Sequence, residues 1–454
     1  MVAPASAAAG RGAALPLAGR RRSRSVACAE ECRERSVSFR LQQGGGAPLF
    51  YRPASRIIRD LGVLALAAHG RQHQRAPRVL DAMSGSGVRA LRYSHEANAS
   101  FVHANERMFG EHPLRANLEP LLSAGRARVT ADDAVDVYMR SRLDGSLYDL
   151  VDADAFGTGQ PHAAEAWWAC RTGGLVYLCA TDSLTTSGSN PHQAAAGYAA
   201  VTHKFPGCNE AGLRLLVGTA GREAAARHLT ASPVFSFFHR PSSTFRVMMR
   251  LDAAKRPPAS AFAALSHVAR CPSCGEVWRV PSTRLGDAAS LAPPCSCCSE
   301  RGEAPREAPQ VLGSDVWARA AARCRSAPLT PSVVAQVMGP MWVGPMHDAE
   351  FVAGMRGDAA ARGWSEPDRL LGSFLEEAEA EAKGALLFYH LGEVQRALAK
   401  RGLRQPPLAA LLPLLRGAGF GAAQAHSETK SLKTSATLDE VVRVVSEAKH
   451  RAGV

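Results

Sequence analysis

The chain has 454 residues, 46% of them apolar and 21% charged, with a formal net charge of +13. That length suits two or three domains, and that composition is ordinary for a soluble protein. No uninterrupted apolar run could span a bilayer, so no membrane partner is expected, and the excess of positive charge suits a polyanion.

Residues Met1 to Cys28 contain no acid and carry Arg11, Arg20, Arg21, Arg22 and Arg24 among alanines and serines. This is the composition of an organelle transit peptide, for chloroplast or mitochondrion. Residues 1–45 are therefore read as a leader. The alternative is a basic tail on a nuclear or cytoplasmic protein. The 45 residues hold eight arginines and three glutamates, a net of +5, so the remainder is still basic at +8. Eleven cysteines without a secretory signal argue for reduced thiols and a metal site over a disulfide scaffold.

After the leader, Phe50 to Pro53 is an aromatic, proline-marked loop. Ile57, Asp60, Leu61, Leu64 and Ala65 then give a helical stripe, with Arg59 beside it in reach of a carboxylate. The stretch Arg78 to Arg92 is the one around which the chain is organised. Arg78–Ala82 reads as a buried strand ending at Asp81, Met83–Gly87 as a glycine turn, and Val88 onward as a helix. Gly85 and Gly87 let backbone pass close to a ligand where a Cβ would collide. Strand, turn and helix make the first half of a doubly wound nucleotide-binding unit.

Phe101–Ala104 reads as a second strand followed by Asn105 and Glu106, an acid placed for the two hydroxyls of a ribose. A third strand and loop cover Arg128–Asp136, with Asp132 or Asp133 and Ala134 at the adenine edge. A fourth begins at Tyr148 and ends in Asp152 and Asp154, and Gly174–Ala180 is a fifth. Strands alternating with helices predict a mostly parallel sheet, hence an α/β fold with its ligand at the strands' carboxyl ends. The turn spacing, DxxxGxG, is more typical of S-adenosylmethionine sites than of nicotinamide sites.

Asp154-Ala155-Phe156-Gly157 resembles the (Asp/Asn)-Pro-Pro-(Tyr/Phe) loop of enzymes that methylate exocyclic amines. Such an amine is a poor nucleophile because its lone pair is delocalised into the ring. A carboxylate and a backbone carbonyl can accept its hydrogens and aim the nitrogen, while the aromatic residue stacks on an extruded base. The competing role for Asp154 is an ordinary helix cap.

Cys271, Cys274, Cys295 and Cys298 form CxxC–x20–CxxC, a structural zinc signature in which each pair supplies two thiolates from one knuckle. Cys297 could replace a neighbour. The rest is helix-rich. Leu371, Phe374, Leu375 and Ala378 form a stripe, and shorter helices are predicted over Val394–Leu403, Leu408–Leu415 and Leu438–Ala448. His426, Lys430 and Lys433 lie on the segment between the last two, at the tip of a winged-helix-like unit, with a solvated face as the bland alternative. Trp167, Trp168 and Trp342 suit the core.

Taken in order, these blocks resemble the tRNA (guanine-N2)-dimethyltransferase family, which acts on guanine 26 of tRNA. The resemblance rests on FYRP, RDLGVLAL, DAMSGSGVRALRY, Asn105-Glu106, Asp132–Ala134 and VDADAFG. It continues through the stretch from Cys208, GPMWVGPMHD, FYHLGEV and HSETKSLKTSATLDEV. It implies a Rossmann-like class I S-adenosylmethionine-dependent methyltransferase domain (46–255), a zinc-ribbon insertion (256–310) and a smaller α+β tRNA-contact domain (311–454). It implies that Arg59, Arg89, Glu106, Asp133 and Ala134 hold the cofactor, alongside Asp81, Gly85 and Gly87 of the turn read above. Asp154 would be catalytic, and the residues after Cys208 and the C-terminal domain would meet tRNA, with Phe156, Lys430 and Lys433 as the substrate-binding candidates. No obligate protein partner is implied. Two departures stand out. The family loop reads Asp-Pro-(Tyr/Phe)-Gly-Ser-Pro, and both prolines are absent here; Arg52 stands where FYNP has asparagine. A tRNA-binding homologue with weakened catalysis is the alternative. A nicotinamide dehydrogenase fits the glycines but leaves the cysteines and the DAFG loop unexplained.

Overall fold

The structure, a computed structural model, describes residues 31–41, 51–108, 111–253, 263–285, 295 and 336–451. It opens on a hairpin of β1 (Cys32–Glu34) and β2 (Val37–Phe39), whose period-2 burial turns Cys32, Glu34, Val37 and Phe39 inward. This hairpin lies inside the 1–45 stretch read as a leader. It packs into the core beside α1 (Arg56–His73), so the folded region begins by Cys32 and not at 46. The physical reason is Glu34, whose buried carboxylate accepts from Arg59 and Arg92.

The next elements alternate as expected: β3 (Arg78–Asp81), α2 (Val88–Glu96), β4 (Phe101–Asn105), α3 (Glu111–Ser123), β5 (Ala127–Thr130), α4 (Ala134–Leu143) and β6 (Tyr148–Ala153). They continue with α5 (Gln160–Glu165), β7 (Cys170–Ala180), α6 (Ser183–Thr186), α7 (Pro191–Tyr198), α8 (Cys208–Ala225), β8 (Leu229–His239) and β9 (Thr244–Ala253). Seven strands form one sheet in the order β5-β4-β3-β6-β7-β9-β8. The first five pair in parallel, and β9 runs antiparallel to both β7 and β8. This is the class I methyltransferase arrangement. Every residue of β6 is buried, as a central strand covered on both faces requires. The chain reverses direction across the sheet at β3, and the crevice beside that switch point holds the site.

A second sheet, β11-β10-β12, joins β10 (Leu265–Arg270), β11 (Val277–Val280) and β12 (Gln336–Trp342). Two long helices follow, α9 (Ala349–Ala361) and α10 (Ser365–Ala382). The last elements are β13 (Phe388–His390), α11 (Leu391–Ala399), α12 (Leu408–Gly417), β14 (Ala422–Ala423), β15 (Ser431–Thr434) and α13 (Leu438–Arg451).

The division at residue 311 does not survive. Strand β12 pairs with β10, so it belongs to the cysteine-bearing sheet. Phe351, Val352, Leu371 and Phe374 of α9 and α10 join the apolar cluster that holds Leu61 and Val79, so these helices complete the methyltransferase core. A separate core, built on Tyr389, Val394, Leu411, Leu432 and Val441, begins only at β13. Amphipathic periodicity locates such helices but does not say which sheet their apolar stripe covers. Trp167 and Trp342 are buried in the core, and Trp168 lies half-buried under the guanidiniums of Arg142 and Arg227.

Candidate active site

The glycine turn after β3 is shaped by local sterics. Gly87 has φ +80°, and a Cβ there would stand 2.8 Å from Leu114, so this glycine serves the packing of α2 on α3. The Gly85 N–H donates to Glu106 Oε2 at 2.8 Å, and the Met108 N–H donates to Oε1 of the same carboxylate at 2.7 Å. Asn105 ties three strand ends together. Its side chain donates to the carbonyls of Ala82 (3.1 Å) and Asp132 (2.9 Å), and accepts from Thr130 Oγ1 (2.7 Å). Beneath the turn, Asp81 accepts from Ser84 Oγ at 2.6 Å. Burial, with the charge on Asp152 adding to it, pushes the Asp81 carboxyl up to about 7.

Above this turn lies a cavity of about 670 Å³ at the carboxyl ends of β3, β4 and β6. That volume lies in the range of small-molecule sites. Of the residues expected at the cofactor, Arg59, Gly85, Arg89, Glu106, Asp133 and Ala134 line it. Asp81 and Gly87 are not in the lining; they stand one layer behind and shape the turn. Arg59 is already engaged, donating to Glu34 at 2.8 and 2.5 Å and to the Arg52 carbonyl at 3.1 Å. Asp133 caps α4, accepting from the Val135 N–H at 3.0 Å, and pairs with Arg107.

The donor set fits S-adenosylmethionine. Glu106 is held over the turn by two N–H groups, one on each oxygen. A carboxylate offers about four lone-pair positions, enough to accept from ribose hydroxyls as well. Ala134 and Met83 give apolar lining around these polar groups.

Asp154 and Phe156 line the same cavity. Asp154 does not cap the following helix, whose N-cap is Gly159 without a side-chain bond. Its carboxylate instead accepts from Arg89 at 2.5 Å and from Arg246. Burial alone would raise this carboxyl, but Arg246 and then Arg89 outweigh burial and hold it well below the usual carboxylate range. Asp152, one step below, accepts from Tyr93 Oη at 2.6 Å and from Arg89 at 3.2 Å.

The missing prolines are replaced by hydrogen bonds. Gly157 N–H donates to Thr181 Oγ1 at 2.7 Å, and Thr181 N–H donates back to the Gly157 carbonyl at 2.8 Å. Thr158 Oγ1 donates to Tyr198 Oη at 3.2 Å, and Tyr198 donates to Asp182 at 2.9 Å. Ala155 is buried at 5% exposure, while Phe156 is 67% exposed at the cavity wall. The loop is thus pinned to the end of β7 just beyond Phe156.

Lys433 is not at a tip. It is fully buried on β15 and bonded to Glu210 (2.8 Å), Glu377 (3.3 Å) and Glu381 (2.6 Å), with Arg214 on the same acidic cluster. This corrects the expectation of a tRNA contact: every residue of β15 is buried, with Leu432 in the C-terminal apolar core and Lys433, on the opposite face, in an acidic pocket supplied by α8 and α10. Lys430 is exposed, on a loop whose Glu428 pairs with Arg240 at 3.1 Å. Two residues beyond Arg240, Ser242 lines the cavity.

Cys271, Cys274 and Cys295 bring their sulfurs within 4.8 Å of one another. The knuckle is closed by Cys271 O, which accepts from the Gly275 N–H at 2.9 Å. Gly275 has φ +92°, and a Cβ there would meet the Glu393 carboxylate at 2.6 Å. Cys297 and Cys298 lie outside the described residues.

Sequence reasoning misses Arg246, Cys179, Thr181 and His162, all of which line the cavity. None sits in a motif with a diagnostic spacing. The pairing of β9 with β7 alone brings Arg246 there.

Several known proteins resemble this chain. The tRNA (guanine(26)-N(2))-dimethyltransferase of Methanothermobacter thermautotrophicus is 26% identical over 404 residues, covering 88% of this chain and 93% of that protein. The protein of the same name from Saccharolobus solfataricus is 22% identical over 404 residues, covering 88% and 91%. Among solved structures, Trm1 from Pyrococcus horikoshii in complex with S-adenosyl-L-methionine superposes with a TM-score of 0.69 at 20% identity, over 91% of this chain and 99% of that one. It shares the fold. The family model described as N2,N2-dimethylguanosine tRNA methyltransferase matches residues 32–446, and the chain belongs to that family.

Proposed function

We propose that this protein transfers methyl groups from S-adenosylmethionine to the exocyclic N2 of guanine 26 in tRNA, giving N2,N2-dimethylguanosine. One observation carries this reading. Asp154 is an ionised carboxylate fixed at the wall of the cavity that also holds Gly85 and Glu106, with Phe156 beside it.

S-adenosylmethionine, when bound, supplies an electrophilic methyl on a sulfonium. The chain's own residues prepare the nucleophile. Asp154 accepts a hydrogen bond from the guanine N2, which raises electron density on the nitrogen and aims its lone pair. Tyr51 and Phe156 offer aromatic surface at the cavity for a purine taken out of its stack. The nitrogen's lone pair forms the new N–C bond, the breaking C–S pair stays on sulfur, and the nitrogen loses a proton. Asp154, held well below the usual range, is a weak proton acceptor, so the proton passes on to solvent.

Lys430 and the basic charge of the chain support contact with the tRNA backbone. We extend the reading to two further points. Cys271, Cys274 and Cys295, with Cys298 as fourth thiolate, suit a structural zinc that staples the β10–β11 sheet. The acid-free stretch Met1–Cys28 lies before the matched region, which supports an organellar address. The function is tested with a tRNA transcript bearing guanine at position 26 beside one bearing adenine there. Methyl incorporation into the first alone is expected, and equal incorporation into both refutes it. About one zinc per chain, lost in Cys274→Ser, is expected from metal analysis.

A further inference from the structure

Arg246 stands on β9, the strand that runs against the rest of the sheet. Its register partner on β7 is Cys179, and the pair two residues below is Met248 with Tyr177. Asp154 follows β6, the next strand over. Three neighbouring strands therefore deliver Asp154, Cys179 and Arg246 to one place. The Arg246 guanidinium lies 4.9 Å over the Tyr177 ring, which fixes its plane, and it reaches both Asp154 and Asp152 Oδ1, the latter at 3.5 Å. Arg89 repeats the pattern from α2, with Asp154 at 2.5 Å and Asp152 at 3.2 Å.

A carboxylate offers about four lone-pair positions. On Asp154 two are taken, one on each oxygen, by Arg89 at Oδ2 and by Arg246 at Oδ1, with Cys179 next to Arg246 in the sheet register. The side chain keeps 32% exposure, while Arg89, Arg246 and Cys179 are buried to 5% or less. What remains faces the cavity. Such a carboxylate cannot rotate without breaking a buried guanidinium contact, and the two guanidiniums oppose its protonation.

We propose that Arg246 is a positioning residue which, with Arg89, fixes Asp154 as a one-directional hydrogen-bond acceptor for the target amine. The proposal rests on the methyltransferase reading and adds to it. Asp154 works as an oriented dipole acceptor and not as a base that shuttles protons. The groups facing it are Arg89 from α2, Cys179 and Tyr177 from β7, Arg246 from β9, and the acids Asp152 and Asp81, with Tyr93 of α2 bonded to Asp152 behind them. Only the two guanidiniums oppose its protonation strongly, so removing one lets Asp154 titrate at a higher pH.

The test compares wild type, Arg246→Gln and Arg246→Lys in steady-state methylation of the guanine-26 transcript from about pH 5 to about pH 9. Binding of S-adenosylmethionine and tRNA is measured in parallel, and folding by circular dichroism. Wild type is expected to show no acidic limb from Asp154. Arg246→Gln should lose about 10²-fold in kcat, keep both binding constants within about threefold, and gain an acidic limb. Arg246→Lys retains the charge but not the planar fork, so it should recover a flat profile with kcat still about tenfold down. A kcat within about threefold of wild type in either variant, or a Gln variant without the new limb, overturns the proposal. If Arg246→Gln does not fold, Arg246→Lys decides alone by the same kcat criterion. A wild type that binds S-adenosylmethionine but methylates neither transcript sinks the parent reading, and this one with it. A wild type active on guanine 26 beside unaffected variants sinks this one only.

Discussion

Two clusters of buried charge serve opposite ends in this molecule. One gathers Asp152, Asp154, Arg89 and Arg246 under the cavity. The other gathers Glu210, Glu377, Glu381, Arg214 and Lys433 between α8, α10 and β15. Both draw their members from several elements and both bring acids together with guanidinium groups. They differ in what they leave open. In the second cluster every charged side chain is buried to 3% or less, and Glu377 also accepts from His426 Nδ1 at 2.7 Å. In the first, Asp154 keeps a face toward an open cavity. A sealed network of paired charges can only join elements, whereas the same chemistry with lone pairs left facing a cavity can act on a ligand.

The sharpest way to break that contrast is Asp154→Ala. Methyl transfer should fall by about 10³-fold while folding and tRNA affinity are kept. Single-turnover rates and filter binding measure the two, and a rate within about tenfold of wild type would erase the distinction between the clusters. Lys433→Met should act in the opposite register. It removes the cation shared by three buried carboxylates and leaves them to Arg214 and His426, so unfolding free energy should drop by about 3 kcal/mol in urea titration, with the tRNA affinity of the folded fraction unchanged. Weaker tRNA binding at unchanged stability would restore the substrate contact that its position in sequence suggests.

A third buried acid extends the comparison to the hairpin. Burial would raise Glu34, but Arg59 and Arg92 bring it down to about 2. A carboxyl lowered in the folded state stabilises above its unfolded value and loses that contribution as pH falls toward the folded one. Glu34→Gln should therefore cost about 3 kcal/mol at pH 7. The gap to wild type should close as pH drops from about 4.5 to about 2, as followed by denaturant titration across pH. An unchanged gap in acid would mean that the pairing with Arg59 and Arg92 contributes nothing. The smallest effect belongs to the loop. Thr181→Val removes the acceptor of the Gly157 N–H and should cost about 1 kcal/mol in thermal unfolding. Restoring proline at Ala155 in that background should recover part of any lost rate, since proline and the hydrogen bond hold the same backbone.

The parallel half of the sheet, the glycine turn, Glu106 and Asp154 are legible because each depends on local rules. Strand periodicity, a turn that needs a missing Cβ, and an acid at a strand's carboxyl end all leave marks within a few residues. Lys433 is misread from sequence because a lysine in a basic stretch looks alike whether it faces water or three acids, and those acids lie at positions 210, 377 and 381. The hairpin at Cys32 reads as leader because arginine-rich composition before it masks a three-residue strand pattern.

By itself the amino-acid order determined the type of fold, the position of the glycine turn and the identity of the acid at the cavity wall, since those follow from spacing along strand-turn-helix units. Only the tertiary structure decided what surrounds that acid. Arg246 lies 92 residues away from Asp154 and meets it because an antiparallel strand is placed in one register beside β7. Register is set by the packing of whole sheet faces, and shifting it by one residue would turn the guanidinium to the other side.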